Sequence, residues 1–442
     1  MANTNPNKSY GENSWLDTCR ITLANGQQFD LKDNVVELSV YEDVYSFCVS
    51  GYLLLRDGLG LLNLFQITGG EKLELSFDNS ENTDATTIDY IIYKVGDRRP
   101  TGNMNSEYYK IFFCSADLLV NEQKKISKSY KGQMITDIVE EAVTTYLGSK
   151  RNYSLQKTIG YYDFVVPMMK PLQTISWLSN YSRPENSGTS GTIGADMFFF
   201  ENRYGYNFYS LSYLMNQPVE KTYQYQQNNL DDDTPDLKYE DDAIIALEHV
   251  RSFDILKEVS SGAFANKIIA VDPLTKTQNY QIFDYNQYIE QIAPINGQGV
   301  LPNTQTPEGL SPNQTPDTNI KVVLSNSGQK GTNYIKDNDG NSVAQDIYIQ
   351  QTLSYRTAQT ALNNHTVIKI IVPGNAELTV GQTIQLNYLT VMMNPSTNSR
   401  DLDNNYSGVY LITGLRHILQ SSGVFQTVLE ISKNSTIQAT QD

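Results

Sequence analysis

Apolar and polar residues alternate in short runs over residues 1–114. In Lys72–Phe77 the apolar side chains fall on every second position, which places them on one face of a half-buried strand. Six such runs predict six short strands: Trp15–Leu23, Val35–Tyr41, Phe47–Leu55, Glu71–Phe77, Ile88–Val95 and Tyr108–Phe113. Leu59–Phe65 predicts a single helical turn at one end. So many short strands are typical of a small β-barrel or sandwich, and we predict a first barrel over residues 1–114.

The hydrophobic period then changes from two to between three and four. The apolar positions of Met134–Leu147 predict an amphipathic helix that ends at Gly148. A second helix is predicted to begin at Pro171. Two strand-like runs around a polar turn predict a hairpin, Met197–Phe200 and Tyr206–Leu211. Residues 115–220 are therefore predicted to form an α/β domain.

The last part of the chain returns to strands. Residues 221–275 and 360–435 are predicted to form a second β-barrel, whose strands are Ala263–Val271, His365–Val372, Gln382–Tyr388, Val409–Leu415 and Val424–Ile431. Residues 276–359 are predicted to be an insertion with a Pro-rich surface loop, Ile292–Thr318, and a helix within Ser342–Asn363.

Two pairs of segments are similar to each other within the chain. Gly70–Phe77 parallels Gly381–Tyr388, and Ser50–Leu54 parallels Ser407–Ile412. Matches this short also arise by chance, so duplication and coincidence both stay open. The predicted fold class is α+β and β-rich, with an α/β domain and an inserted segment. If the duplication is real, the chain carries two similar small antiparallel β-barrels.

Composition limits the function classes. The chain has 442 residues, which at roughly 150 residues per domain suggests about three domains. Its 33 basic and 49 acidic residues give a net charge of −16. Such a balance argues against non-specific binding to nucleic acid or anionic lipid, since both require basic patches. Aromatic residues make up 11% of the chain, which is ample for cores and argues against disorder throughout.

The three cysteines are far apart and form no CxxC pair, which argues against a disulfide framework and a zinc ribbon. Met1–Ser14 is polar and lacks the apolar stretch of a signal peptide. The most apolar region, Tyr52–Phe65, is interrupted by Arg56 and Asp57, so no membrane-spanning segment is predicted. We expect a soluble chain that folds inside the cell.

Candidate chemistry is sparse. His249, His365 and His417 lie in no metal-binding pattern and are each predicted to be a structural or a surface histidine. Glu140 and Glu141 are predicted to lie on a solvated helix face. No GxSxG, GxGxxG or Walker pattern occurs, and Gly58 and Gly60 are predicted to form a turn. No catalytic, cofactor-binding or metal-binding residue is predicted, and no cofactor.

Three acidic segments could in principle bind a divalent cation. Asp231–Asp233 and Glu240–Asp242 are favoured as a solvated loop, because consecutive carboxylates do not all converge on one ion. Asp337–Asn341 resembles part of a calcium loop, but Ile335 stands where the EF-hand requires Asp, so a turn is favoured. A glycosidase needs only two carboxylates brought together by folding, so a glycan-cleaving or glycan-binding tail protein stays an alternative.

The order of several segments resembles a known family. The segments are Tyr41–Val44, Gly51–Gly58, Gly69–Leu73, Ile126–Tyr130, the Met134 helix, Pro171–Ser182, Met197–Asn202, Gly262–Lys267, Val372–Leu386 and Gly408–His417. Together they resemble the central baseplate hub proteins of contractile phage tails of the T-even type, whose relatives include the hub portions of type VI secretion spike proteins. The resemblance excludes residues 280–340, and the Pro-rich insertion departs from the family pattern.

The resemblance implies a homotrimer with two similar barrels per protomer, and hence six barrels around an axis. Six similar surfaces can meet a six-fold tail tube, while the true three-fold axis meets a trimeric central spike. It also implies a structural, non-enzymatic virion protein of the tail baseplate, assembled in the host cytoplasm. The implied partners are the spike, the tail tube and other baseplate proteins, with DNA only as transiting cargo. The acidic net charge suggests a further hypothesis, that like charges keep DNA from binding to the lumen.

Overall fold

The protein was examined as a computed structural model, which describes residues 16–65, 67–77, 88–102, 106–185, 195–225, 242–288, 295–299, 309–325, 330–337, 339–394 and 399–437. Met1–Ser14 and Asp231–Asp233 lie outside the described residues. The same holds for residues 292–294 and 300–308 of the predicted Pro-rich loop.

The N-terminal part consists of strands and one helical turn. They are β1 (Leu16–Thr22), β2 (Gln28–Asp30), β3 (Val35–Asp43), β4 (Ser50–Asp57), α1 (Leu61–Phe65), β5 (Lys72–Phe77), β6 (Ile88–Pro100) and β7 (Glu107–Ser115). The six strands and the helical turn predicted from the sequence are confirmed. Their inward-facing side chains, such as Leu38, Leu53, Leu73 and Ile111, form one buried apolar core.

The next part is mixed α/β. Its elements are α2 (Ala116–Gln123), β8 (Ile126–Gln133), α3 (Ile135–Glu141), β9 (Tyr153–Leu155), β10 (Tyr162–Met169), α4 (Pro171–Ser179), β11 (Met197–Asn202), β12 (Gly205–Ser210) and α5 (Leu211–Met215). The predicted amphipathic helix is present: α3 continues as a π-helical stretch to Leu147 and ends at Gly148, whose φ is +65°. Ile138 and Val139 are buried with the aromatic side chains of α4 and β11 in a second core.

The third part holds β13 (Val219–Tyr225), β14 (Ala246–Arg251), α6 (Ile255–Ser261), β15 (Ala265–Asp272), β16 (Thr277–Asp284), α7 (Tyr285–Tyr288), β17 (Gly297–Gly299), β18 (Ile320–Leu324), β19 (Gly331–Lys336), β20 (Ser342–Ile347) and α8 (Ile349–Asn363). It is followed by β21 (Thr366–Pro373), β22 (Thr383–Asn394), β23 (Ser399–Leu402), β24 (Gly408–Gln420), β25 (Phe425–Lys433) and β26 (Ser435–Ile437).

Two local predictions for this part need correction. β15, which the sequence assigned to the second barrel, pairs with β16 and β18 in a separate three-stranded sheet. The predicted helix within Ser342–Asn363 begins only at Ile349, because Ser342–Ile347 pairs with β19 as a hairpin. At Ser342–Ile347 a strand partner outweighs the helical pattern, whereas at β15 the predicted strand is present and only its sheet differs.

Both ends of the chain join in one large sheet. Its strand order is β14-β21-β25-β24-β3-β4-β7-β6-β5-β1-β2, and β22 pairs with β13, β23 and β24. The pairing of β24 with β3 connects the C-terminal strands to the N-terminal strands. The α+β, β-rich class is confirmed, but among the described residues the pairings close no barrel.

Candidate functional site

The large sheet contains the same six-strand arrangement twice. Repeat 1 is β1, β3, β4, β5, β6 and β7, and repeat 2 is β13, β14, β21, β22, β24 and β25, each given in chain order. Within repeat 1 the sheet order is β3-β4-β7-β6-β5-β1, and within repeat 2 it is β14-β21-β25-β24-β22-β13. The two orders match position by position. One difference remains, since β1 is antiparallel to β5 whereas β13 is parallel to β22.

The match extends to single hydrogen bonds. Gly70 donates its N–H to the carbonyl of Ile92 at 2.7 Å, and Gly381 donates to the carbonyl of Ile412 at 3.0 Å. Both glycines have positive φ, +93° and +89°, a conformation that favours glycine. A threonine lies two residues before each glycine. The backbone N–H of Thr68 donates to the side chain of Glu71, and that of Thr379 donates to the side chain of Gln382.

One ladder irregularity is shared by the two repeats. The register of β6 against β7 shifts between Ile92 and Lys94, and that of β24 against β25 shifts between Ile412 and Gly414. The similarity of Gly70–Phe77 to Gly381–Tyr388 therefore joins equivalent strands, β5 and β22. The second similarity, Ser50–Leu54 with Ser407–Ile412, joins β4 with β24, which hold different places in the two repeats.

The two repeats meet where β24 runs antiparallel to β3 over seven register pairs, from Gly414 opposite Asp43 to Gln420 opposite Glu37. On the exposed face of this junction, the guanidinium of Arg416 donates to the Ser39 hydroxyl at 3.0 Å and to Glu37 at 3.3 Å. It also lies 5.3 Å from the ring centre of Tyr41. The junction is thus held by charge-assisted hydrogen bonds and a cation–π contact as well as by the ladder.

The buried face of the junction holds an acid and a histidine. Glu42 accepts hydrogen bonds from the Thr379 hydroxyl and from the backbone N–H groups of Val380 and Arg203. Burial raises the pKa of the Glu42 carboxyl above its ordinary value, against these hydrogen bonds. Burial and the nearby Arg203 lower the pKa of His417 to about 3, so its imidazole is neutral. Glu42 therefore connects β3 to repeat 2 and to the α/β domain.

A second buried acid connects repeat 1 to the α/β domain. Glu201 of β11 accepts hydrogen bonds from the backbone N–H of Val49 at 3.0 Å and from the hydroxyl of Ser115. Arg151 Nε lies 2.9 Å from the other carboxylate oxygen, without the alignment of a hydrogen bond. Burial raises the pKa of Glu201 to about 7, because desolvation outweighs the attraction of Arg151.

Several strand edges, among them those of β14, β6 and β2, have no partner strand among the described residues. β14 ends the sheet and pairs only with β21. β6 pairs with β5 over Ile88–Ile91, and Ile92 bonds to Gly70 and Glu71, so only its residues from Tyr93 to Pro100 pair with β7 alone. Unpaired edges of this length are templates for pairing with another chain.

The exposed face of the large sheet carries charges of both signs. Residues opposite each other in the ladders share a face, and the charged ones on this face include Glu248, Lys369, Glu430, Arg416, Asp43, Glu37, Arg56, Lys110, Lys94 and Arg99. The acidic excess of the chain is therefore not concentrated there.

The three histidines lie apart. His249 is on the edge strand β14, against the rings of Tyr388 and Tyr406. His365 is buried with its Nδ1 2.5 Å from Glu258, and His417 is buried at the junction. No group of three or more His, Cys, Asp or Glu side chains that could hold a metal ion occurs in the described part of the chain.

The predicted turn at Asp337–Asn341 is confirmed at its described residues. The Asp337 carboxylate accepts from the backbone N–H groups of Asp339 and Asn341 within the β19–β20 hairpin. Glu140 and Glu141 bind Tyr153 and Lys128 respectively at the surface of the α/β domain. No helix in the described ranges has the length and apolar content needed to cross a membrane.

The sequence reasoning missed Glu42, Glu201 and Arg416. Glu42 had a detectable signal, because it follows Leu38 and Val40 at the same two-residue spacing and so belongs to the buried face of β3. Glu201 and Arg416 had no comparable signal, since their partners come from distant parts of the chain.

Comparisons with known proteins agree with this architecture. A probable baseplate hub protein, gp334 of Vibrio phage KVP40, is 23% identical over 417 residues, which cover 92% of this chain and 91% of that protein. No family model matches.

Two solved structures share the fold. The tail protein from Neisseria meningitidis MC58 has a TM-score of 0.53 at 10% identity, covering 94% of this chain and 96% of its own. The 43 kDa tail protein of prophage MuSo2 from Shewanella oneidensis has a TM-score of 0.53 at 7% identity, covering 94% and 98%. The resemblance of this chain to the baseplate hub proteins of phage tails is thereby confirmed.

Proposed function

We propose that this chain is a structural, non-enzymatic protein of a phage tail baseplate, in which it forms the hub ring. The observation that carries the proposal is the repeated six-strand arrangement, whose two copies are joined edge to edge by β24 and β3. A chain with two similar units and a free edge at each end is suited to head-to-tail closure into a ring.

Three copies of the chain in one ring bring six similar units around the axis. Such a ring presents six quasi-equivalent surfaces to a six-fold tail tube and keeps a true three-fold axis for a trimeric spike. The hub would thus adapt one symmetry to the other. In this proposal each repeat forms one small barrel, with repeat 1 in residues 1–114 facing the tube.

The remaining partners follow from the same arrangement. The α/β domain, residues 115–220, and the insertion are available for the spike and for other baseplate proteins. The ring encloses a channel through which DNA passes during ejection, and the ring assembles in the host cytoplasm. A channel lined by the exposed face of the large sheet would present charges of both signs to DNA. The hypothesis of an acidic lumen therefore requires that a different surface of the chain line the channel.

The oligomeric mass tests this proposal. Light scattering on the purified chain is expected to give three times the 49.8 kDa of one chain. Negative-stain images are expected to show a ring with six lobes. A monomer that forms no ring at any concentration, or a chain that cleaves polysaccharide, would contradict the proposal.

A further inference from the structure

The junction inside the chain shows what the neighbouring junction in a ring must look like. In repeat 1 the edge strand is β3, and it pairs with the second half of β24 of repeat 2. The strand equivalent to β3 in repeat 2 is β14, and the strand equivalent to β24 in repeat 1 is β6. Both strands have an edge that lacks a partner strand among the described residues.

We infer that β14 of one copy pairs antiparallel with the outer half of β6 of a second copy of this chain. The inference rests on the proposed ring and names its subunit interface. Around the ring, the internal β3–β24 junction would then alternate with an intermolecular β14–β6 junction of the same strand order and direction. The second junction differs by the additional register shift of β6 between Gly96 and Arg99.

The ladders give the register of this interface. In repeat 1, Ser39 of β3 pairs with Tyr52 of β4. In repeat 2, Glu248 of β14 pairs with Lys369 of β21 at the equivalent position, so Glu248 corresponds to Ser39. Ser39 faces Ile418 across the internal junction. In repeat 2, Ile418 of β24 pairs with Gln426 of β25. In repeat 1, Arg99 of β6 pairs with Tyr108 of β7 at the equivalent position, so Arg99 corresponds to Ile418.

Glu248 of one copy is therefore placed opposite Arg99 of the next. Both residues are exposed, and both lie on the exposed face of the sheet. Glu248 has a weak internal partner, Lys369 at 4.0 Å, which leaves its carboxylate available. The facing charges are opposite, which stabilises this register and disfavours a shifted one.

Exposed aromatic side chains flank the same two edges. At the internal junction Val44, just after β3, donates its N–H to the carbonyl of Thr413 at 2.9 Å. Thr413 corresponds to Tyr93, at the bulge of β6. The register of β14 against β21 shifts between His249 and Arg251, so Val44 corresponds to Asp254, which follows Phe253. Phe253 is 73% exposed and Tyr93 is 55% exposed. Their burial against the second copy would add an apolar contribution that the single chain does not have.

Cysteine pairing tests the register. Opposed residues of antiparallel strands lie about 4.5–5.5 Å apart at their Cα atoms, which is within reach of a disulfide. The double variant Arg99→Cys with Glu248→Cys is expected to give covalent oligomers under mild oxidation, seen on non-reducing gels. The matched control, Lys94→Cys with Glu248→Cys, puts the thiol several positions away on β6 and is expected to give none. The native cysteines Cys19 and Cys114 are buried, and the single variants control for Cys48.

A charge reversal tests the pair without oxidation. Arg99→Glu and Glu248→Arg are each expected to weaken association of the oligomer about tenfold, and the combined variant is expected to restore it. Lys157→Glu, an exposed reversal on the α/β domain, is expected to change nothing.

The outcomes separate this inference from the proposed function. A wild-type trimer in which neither cysteine pairing nor charge reversal has an effect would overturn the β14–β6 interface and leave the ring intact. A monomeric wild type without crosslinks would overturn both.

Discussion

The guanidinium of Arg416 lies over the ring of Tyr41, and the two residues face each other directly in the register of β24 and β3. Arg416 belongs to repeat 2 and Tyr41 to repeat 1. The same guanidinium donates to the hydroxyl of Tyr52 at 3.0 Å. A single side chain therefore connects three strands from opposite ends of the sequence.

We expect Arg416→Ala to lower the free energy of unfolding by about 1–2 kcal/mol. The variant loses the charge-assisted hydrogen bonds and the cation–π contact, but the site is one-third exposed and water replaces part of the loss. Urea denaturation measures the change. Arg20→Ala, which removes an exposed ion pair with Glu74 at 3.5 Å, should stay within about 0.5 kcal/mol of wild type. Equal effects of the two substitutions would show that the junction contacts of Arg416 stabilise the chain no more than an exposed ion pair does.

Gly51 permits the close approach of β4 to its neighbours. A Cβ atom added there would lie 2.3 Å from the Ser39 carbonyl oxygen and 2.4 Å from the Phe113 ring. We expect Gly51→Ala to destabilise the chain by about 3 kcal/mol or more, since backbone and ring must both shift. Thermal unfolding compares it with Gly102→Ala, where an added Cβ meets nothing within 4 Å. A Gly51→Ala protein that unfolds at the same temperature as wild type would refute this packing.

Glu201 gives the stability a pH dependence of definite sign. Its pKa in the folded chain is about 7, above the ordinary value of 4.5. Between these values the folded chain holds a proton that the unfolded chain has lost, so the free energy of unfolding falls as pH rises from about 4.5 to 7. Relative to Glu201→Gln, wild type should lose about 2–3 kcal/mol over this range. Urea titrations at several pH values measure it, with exposed Glu185→Gln as the control; parallel curves for wild type and Glu201→Gln would contradict the assignment.

Lys433 acts in the opposite direction and at higher pH. Burial lowers its pKa to about 7, although its Nζ donates to the carbonyls of Asn405 and Ser407. The unfolded chain therefore binds more protons than the folded chain between pH 7 and about 10, and stability rises with pH there. From pH 7 to 9, wild type should gain about 2 kcal/mol relative to Lys433→Met. Chemical denaturation at pH 7, 8 and 9 is the measurement, and a constant difference would rule out the shifted pKa.

Much of the local structure was predictable because it depends on neighbours in sequence. The two-residue period of Lys72–Phe77 and the helical period of Met134–Leu147 both correspond to observed elements. The similarity of Gly70–Phe77 to Gly381–Tyr388 also identified equivalent strands, since the same turn and ladder require glycine and the same alternation in both places.

The tertiary structure alone decided which strands pair and in which direction. The sequence of β24 does not specify β3 as its partner strand, because a strand edge offers the same backbone groups to any other strand. For the same reason the similarity of Ser50–Leu54 to Ser407–Ile412 did not identify equivalent strands. The sequence also did not show that β15 pairs in a sheet outside the second repeat. Periodicity determines which face of a strand is buried, whereas the choice of neighbour depends on packing across hundreds of residues, as in the Glu42 hydrogen bond to Thr379.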